Sequence, residues 1–161
     1  MGILGAKVEL AEAWRVDGNA AFQTKQFARA KACYEQGLRL LSCPDMCTLA
    51  QAEVEVLRQR LAILHVNTAA CHLQDPEMFA ATECENHCSK ALQLDPSNVK
   101  AWYRRSQVYV RVGDMDKAKH DIARATNLEP TNAMLRKEQA HIINLVAAEA
   151  KNRKQLYQGA F

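Results

Sequence analysis

The feature that most constrains this chain is a repeat. Laid over "IARATNLEP" (122–130), the segment "CSKALQLDP" (88–96) places Pro96 against Pro130, Ala91 against Ala125, Leu94 against Leu128 and Asp95 against Glu129, with Cys84 and Ala118 at the same offset. A period of 34 residues is too long for a heptad coil and too short for a domain. It is the size of two helices and their turns, a unit that cannot bury its own apolar face and so must stack on a neighbour. The chain has only 4 prolines and 6 glycines, and no alternating run of β-branched residues, so the unit reads as helical.

Three such units are legible. In the third, Trp102, Ser106 and Tyr109 form the packing stripe of a first helix and Gly113-Asp114 the turn. Ala118, Ile122 and Ala125 line its second helix, which Leu128 and Pro130 close. The first repeats the pattern with Trp14, Gly18 and Ala21, then Phe27, Ala30, Tyr34 and Gly37. A bulky side chain at Gly18, Ala30, Ser106 or Ala118 would push the two helices of a unit apart. The middle unit is degenerate: Asn67, Ala69, Ala70 and His72 on one helix, Cys84, Cys88 and Ala91 on the next, and a longer turn, "QDPEMFAATE".

The boundaries expected are units at about 11–44, 62–96 and 99–130, residues 1–10 as a linker or truncated start, and an insertion near 45–61. Pro44 breaks the chain there. Thr48 through Leu73 then reads as one long helix, with Leu49, Val56, Leu57, Leu61 and Leu64 roughly periodic. Residues 131–161 read as an extended capping helix through Leu135, Ile142, Leu145 and Val146, becoming basic at Lys151, Arg153 and Lys154. The fold expected is all-α: seven helices in a right-handed superhelix with a concave groove.

A net charge of +3 is too small for a general polyanion binder. No apolar run reaches the ~18 residues needed to span a bilayer, so neither a nucleic-acid nor a membrane partner is expected. The cysteines, Cys33, Cys43, Cys47, Cys71, Cys84 and Cys88, contain no C-x-x-C pair and read as reduced thiols of a cytoplasmic or nuclear protein. Gly2 follows Met1, but Ala6 stands where a myristoylation site needs Ser or Thr. His65, His72, His87, His120 and His141 show no metal spacing. Neither a nucleophile–base pair nor a phosphate loop is evident, so no cofactor and no catalysis by this chain are expected.

The charge that matters is local. At about 100° per residue, Lys100, Arg104, Gln107 and Arg111 fall in a stripe roughly 60° wide, with Trp102 and Tyr109 opposite. By the same geometry Arg15 and Asn19 share a face near Phe22 and Gln23, and Asn67 shares one with Ala70, Cys71 and Gln74. Among these, Arg15, Lys100 and Arg104 with Asn19 and Asn67, three cations and two amides, suit carboxylates, through charge-assisted hydrogen bonds worth about 1.5–3 kcal/mol each.

The period and helix pattern resemble the tetratricopeptide repeat (TPR). R-x-x-x-N in the first unit, N in the second and K-x-x-x-R in the third resemble the carboxylate clamp of co-chaperone TPR domains. "ALQLDPSNVKAWYRRSQ", the long insertion and the basic final helix "NRKQLYQGAF" resemble the large immunophilins. That resemblance implies first helices lining a groove that holds the Glu-Glu-Val-Asp tail of heat-shock protein 90 or 70. Arg15, Asn19, Asn67, Lys100 and Arg104 would be the clamp, Phe22 and Ala70 an apolar wall, and Gln107 and Arg111 contacts to upstream peptide residues. It further implies a prolyl isomerase domain outside this chain and a calmodulin-binding segment at Lys151, Arg153 and Lys154.

Overall fold

The computed structural model describes residues 3–42 and 48–158. The expected break at Pro44, the thiols of Cys43 and Cys47, Gly2 and the terminal 159–161 lie outside the described residues. Seven helices follow one another: α1 (Ile3–Gln23), α2 (Phe27–Leu41), α3 (Gln51–Gln74), α4 (Ala81–Leu94), α5 (Val99–Val112), α6 (Met115–Leu128) and α7 (Ala133–Gln158). They pair as α1/α2, α3/α4 and α5/α6, each pair packing on the next, with α7 against α6.

Local chemistry sets the helix ends. The Asn98 side chain accepts from Ala101 N at 3.0 Å and caps α5; Asp114 accepts from Lys117 N at 3.2 Å and caps α6. Between them Gly113 adopts φ 79°, the left-handed turn that ends α5. The equivalent position of the first unit, 88 residues earlier, is Lys25, held at φ 59° without glycine's freedom.

The small residues are small for the expected reason. A Cβ on Gly18 would lie 2.5 Å from the Tyr34 ring, and one on Gly37 would lie 3.0 Å from Leu64. Ala30, Ser106 and Ala118 are fully buried. Tyr34, Leu41, Leu57 and Leu64 join the first unit to α3, while Leu135 and Ile142 of α7 close the last unit over Tyr109, Ile122 and Ala125. Without α7 that apolar face would meet water.

Four expectations need correcting. Residues 3–10 are not a linker: α1 starts at Ile3, because Leu4 and Val8 continue its apolar stripe onto the first core. The long helix expected over Thr48–Leu73 is α3, but it begins at Gln51 rather than Thr48; the Glu53 carboxylate accepts from Ala50 N at 3.0 Å and sets its start. Val56 is exposed while its neighbour Leu57 is buried, since the packed stripe runs Leu57, Leu61, Leu64. Leu128 is 42% exposed, so Ala125 rather than Leu128 is the last core residue of α6.

Candidate functional site

Two contacts orient the first helices. Arg60 Nη1 donates to Glu12 Oε2 at 3.1 Å, and Asn67 Nδ2 to Asn19 Oδ1 at 3.4 Å. Both join α1 to α3 across 48 positions in the same sense, so these helices run parallel. The α3–α5 seam is tied by Arg104 Nη1, which donates to the Val66 carbonyl at 2.7 Å. Side by side, α1, α3, α5 and the start of α7 enclose a cavity of about 290 Å³ lined by Phe22, Ala70, Leu73, Gln74, Lys100, Tyr103, Arg104, Gln107 and Met134.

Five of the nine expected site residues therefore line one cavity: Phe22, Ala70, Lys100, Arg104 and Gln107. Asn19 and Asn67 lie beside it, bonded to each other. Asn19 Oδ1 also accepts from Tyr34 Oη at 2.8 Å, which fixes the amide from the core side. Arg15 is on the same helix as Asn19 and Phe22, but its guanidinium is already held by Glu12, with Nε to Oε2 at 3.0 Å.

Arg111 is the exception. Its guanidinium stacks 4.9 Å over the Phe79 ring, from the long turn between α3 and α4, and does not line the cavity. Cys71, though on the expected face of α3, is fully buried.

Arg104 is the electrostatic centre. Loss of water pulls its pKa below the ordinary arginine value, with Cys88, Cys71, Cys84 and Tyr34 around it. None of these neighbours compensates its charge. Burial pushes the Cys71 thiol and the Tyr34 phenol each up to about 12, and Cys88 is raised by its hydrogen bond with Cys84 and by burial. All stay neutral at neutral pH. Among the described residues no carboxylate pairs with Lys100 or Arg104. Of the five N–H donors of Arg104, one bond to a backbone carbonyl accounts for a single one.

Tyr103, Leu73 and Met134 line the cavity without having been expected there. Tyr103 accepts from Gln107 Nε2 at 2.9 Å. The repeat carried the signal: Tyr103 lies 88 positions after Arg15, and Met134 one period after Lys100.

The opposite face of α5 is not purely apolar. Trp102 is half-buried, with Nε1 donating to Pro96 O at 2.9 Å, and Arg105 and Arg124 stack on its ring at 5.0 and 5.5 Å. Arg105 there pairs with Asp121 at 2.6 and 3.1 Å, well away from Lys100 and Arg104.

His65, His72 and His87, apart in sequence, come together between α3 and α4, with His65 Nδ1 2.9 Å from His87 Nδ1. Among the described residues no group of three or more His, Cys, Asp or Glu side chains has metal-holding geometry, and no helix is long and apolar enough to cross a membrane. Lys151, Arg153, Lys154 and Leu156 are all exposed at the end of α7.

Models of the tetratricopeptide repeat match residues 18–40 and 87–120. The chain is 33% identical over 117 residues to Protein unc-45 homolog B of Xenopus tropicalis, covering 72% of this chain and 11% of that protein. It is 31% identical to the Hsp70/Hsp90 co-chaperone CNS1 of Saccharomyces cerevisiae, covering 71% of this chain and 26% of the other. To the peptidyl-prolyl cis-trans isomerase FKBP4 of Mus musculus it is 26% identical, over 96% of this chain and 33% of that one. The chain thus spans a third or less of each of these relatives. Among solved structures, the second TPR of Spaghetti (RPAP3) bound to the HSP90 peptide SRMEEVD superposes with a TM-score of 0.63 at 26% identity, covering 80% of this chain and 93% of that one. With three stacked helix pairs, a seventh helix closing the stack and repeat models matched over residues 18–40 and 87–120, the chain is a tetratricopeptide-repeat superhelix, similar to the repeat domains of immunophilin and other co-chaperones.

Proposed function

We propose that this domain binds the free, acidic C-terminal tail of a heat-shock protein 90 or 70 chaperone and tethers whatever is attached to it to that chaperone. The observation that carries the reading is the uncompensated pair Lys100 and Arg104 on one cavity. A mostly enclosed guanidinium without an anion is costly, and a carboxylate supplied by a ligand removes that cost. Lys100, exposed at the rim, adds a mobile point charge. Asn19 and Asn67 offer amides to a terminal carboxylate and the backbone beside it, and Phe22, Ala70 and Leu73 an apolar wall to a neighbouring valine. The peptide carried by the similar RPAP3 repeat domain, SRMEEVD, has this chemistry. On this reading the chain is a cytoplasmic adaptor and not an enzyme, and any prolyl isomerase activity belongs to another domain of the whole protein.

Calorimetric titration with peptides ending in Glu-Glu-Val-Asp tests the proposal. Lys100→Ala and Arg104→Ala should each lose about 2–5 kcal/mol of binding, since each strands a ligand carboxylate. Affinity should fall with salt, and an amidated C-terminus should bind poorly. Equal binding by the parent and Lys100→Ala would sink the clamp; equal binding of the amidated peptide would point to recognition of an internal segment.

A further inference from the structure

Arg15, one turn before Asn19 on α1, is already engaged. Its Nε and Nη2 both donate to the Glu12 carboxylate, the first at 3.0 Å to Oε2. From α3, Arg60 Nη1 reaches that same Oε2 at 3.1 Å. Glu12 is thus shared by two guanidiniums on two helices, all three partly open to solvent. The triad lies about one helical turn from the amide pair on α1, and Arg60 lies two turns before Asn67 on α3.

The Nε/Nη2 edge is the fork through which a guanidinium takes a carboxylate bidentately. It is the edge a tail carboxylate needs, and Glu12 occupies it. The arrangement is also exchangeable. Glu12 released from Arg15 stays within hydrogen-bond distance of Arg60, so the exchange strands no charge. The Arg15 contact holds the Glu12 carboxyl below the usual range, which keeps Glu12 an anion, and so a competitor, throughout the neutral range.

We propose that Glu12 is a built-in competitor for the acidic tail: it holds Arg15 against the ligand's carboxylate and passes to Arg60 when the tail binds. This rests on the tail-docking reading of the groove. Arg60 then acts as a positioning residue that accepts Glu12 without touching the peptide.

The test is a titration of the intact domain with a free-carboxyl peptide ending in Glu-Glu-Val-Asp. Glu12→Gln keeps the side chain's size and an acceptor oxygen but not the charge. It should tighten binding about three- to fivefold, the range of a partly exposed ion pair, and steepen the loss of affinity with salt. Arg60→Gln should weaken binding about twofold or more, because Glu12 then has only Arg15. In the Glu12→Gln background Arg60→Gln should do nothing; weakening there as well would mean that Arg60 grips the peptide, and would overturn the exchange.

Asp17→Asn removes another carboxylate of α1, exposed and without a hydrogen-bond or ion-pair partner among the described residues, and should leave affinity unchanged. A gain there as large as that of Glu12→Gln would reduce the effect to bulk charge and overturn the proposal. Weaker or unchanged binding by Glu12→Gln would mean that Glu12 merely orients Arg15, and overturns it too. Lys100→Ala in the same series separates the two failures. If it weakens binding while Glu12→Gln does not tighten it, the competitor alone is refuted; if the parent does not bind, or Lys100→Ala binds equally, the tail-docking reading falls and the competitor with it.

Discussion

Replacing Gly18 by alanine adds one methyl group at the tightest point of the first unit. That Cβ would sit 2.5, 2.8 and 3.0 Å from three carbons of the Tyr34 ring, where ordinary contact begins near 3.4 Å. Tyr34 is 2% exposed and packed in the first core, and its hydroxyl is committed to Asn19 at 2.8 Å, so the ring has little room to retreat. Overpacking of this kind costs about 1–3 kcal/mol. Alanine's helix propensity returns about 0.8–1 kcal/mol over glycine. The net expectation is a loss of up to about 2 kcal/mol, lowering Tm by about 2–4 °C per kcal/mol for a chain of this size. Urea unfolding followed by circular dichroism should show a lower midpoint at unchanged slope.

The cycle with Tyr34→Leu isolates the cause. Once the ring is gone, Gly18→Ala should stabilise by about 0.8–1 kcal/mol, its propensity term alone. The same ring positions Asn19, so Gly18→Ala should also weaken tail binding, whereas the cost of Tyr34→Leu to Asn19 should be unaffected by what stands at position 18. A Gly18→Ala domain more stable than the parent, with Tyr34 in place, would refute the close-approach argument at this crossing.

Two further outcomes are expected. Asp121 is 2% exposed and its carboxylate is held by Arg105, which also donates to Ser89 Oγ at 3.0 Å; Asp121→Ala should cost about 3–5 kcal/mol in urea unfolding by stranding that guanidinium, and Arg105→Met added to it should recover most of the loss. Burial, first, holds the pKa of His65 and of His87 down to about 4, against about 6.5 unfolded, with His87 acting on His65 and His72 on His87. Both stay neutral in the fold, so this contribution is full above pH 6.5 and is lost as pH falls from 6.5 towards 4; discounted for their partial exposure it amounts to about 1–2 kcal/mol for the pair. Stability measured between pH 6.5 and 5, above the range where most carboxylates titrate, should decline less in His87→Gln than in the parent; an equal slope would refute it.

Much of the fold was legible because the repeat writes the same packing problem more than once. Gly18, Ala30, Ser106 and Ala118 are small in the sequence because two helices meet there, and the structure puts a ring or a helix against each. The stripe of Lys100, Arg104 and Gln107 followed from helical spacing alone. Boundaries were harder. The first ten residues contain no Ser, Thr, Asp or Asn to signal a helix start, and packing of Leu4 and Val8 carries α1 back to Ile3. The site was only partly legible, as Arg111 illustrates. Helical angle gives the direction of a side chain but not its partner, and Phe79 comes from the irregular long turn.

The sequence by itself determined the period, the seven helices, the small residues at each crossing and the cations on the groove face of α5, because these depend on local spacing and residue size. Only the tertiary structure decided which polar side chains are paired. Glu12 meets Arg60 across 48 residues, Asp121 meets Arg105 across 16, and His65 meets His87 across 22. No sequence period encodes those distances, because they arise where separate helices stack. The charge left uncompensated at Lys100 and Arg104 is visible only once every partner on the neighbouring helices has been placed.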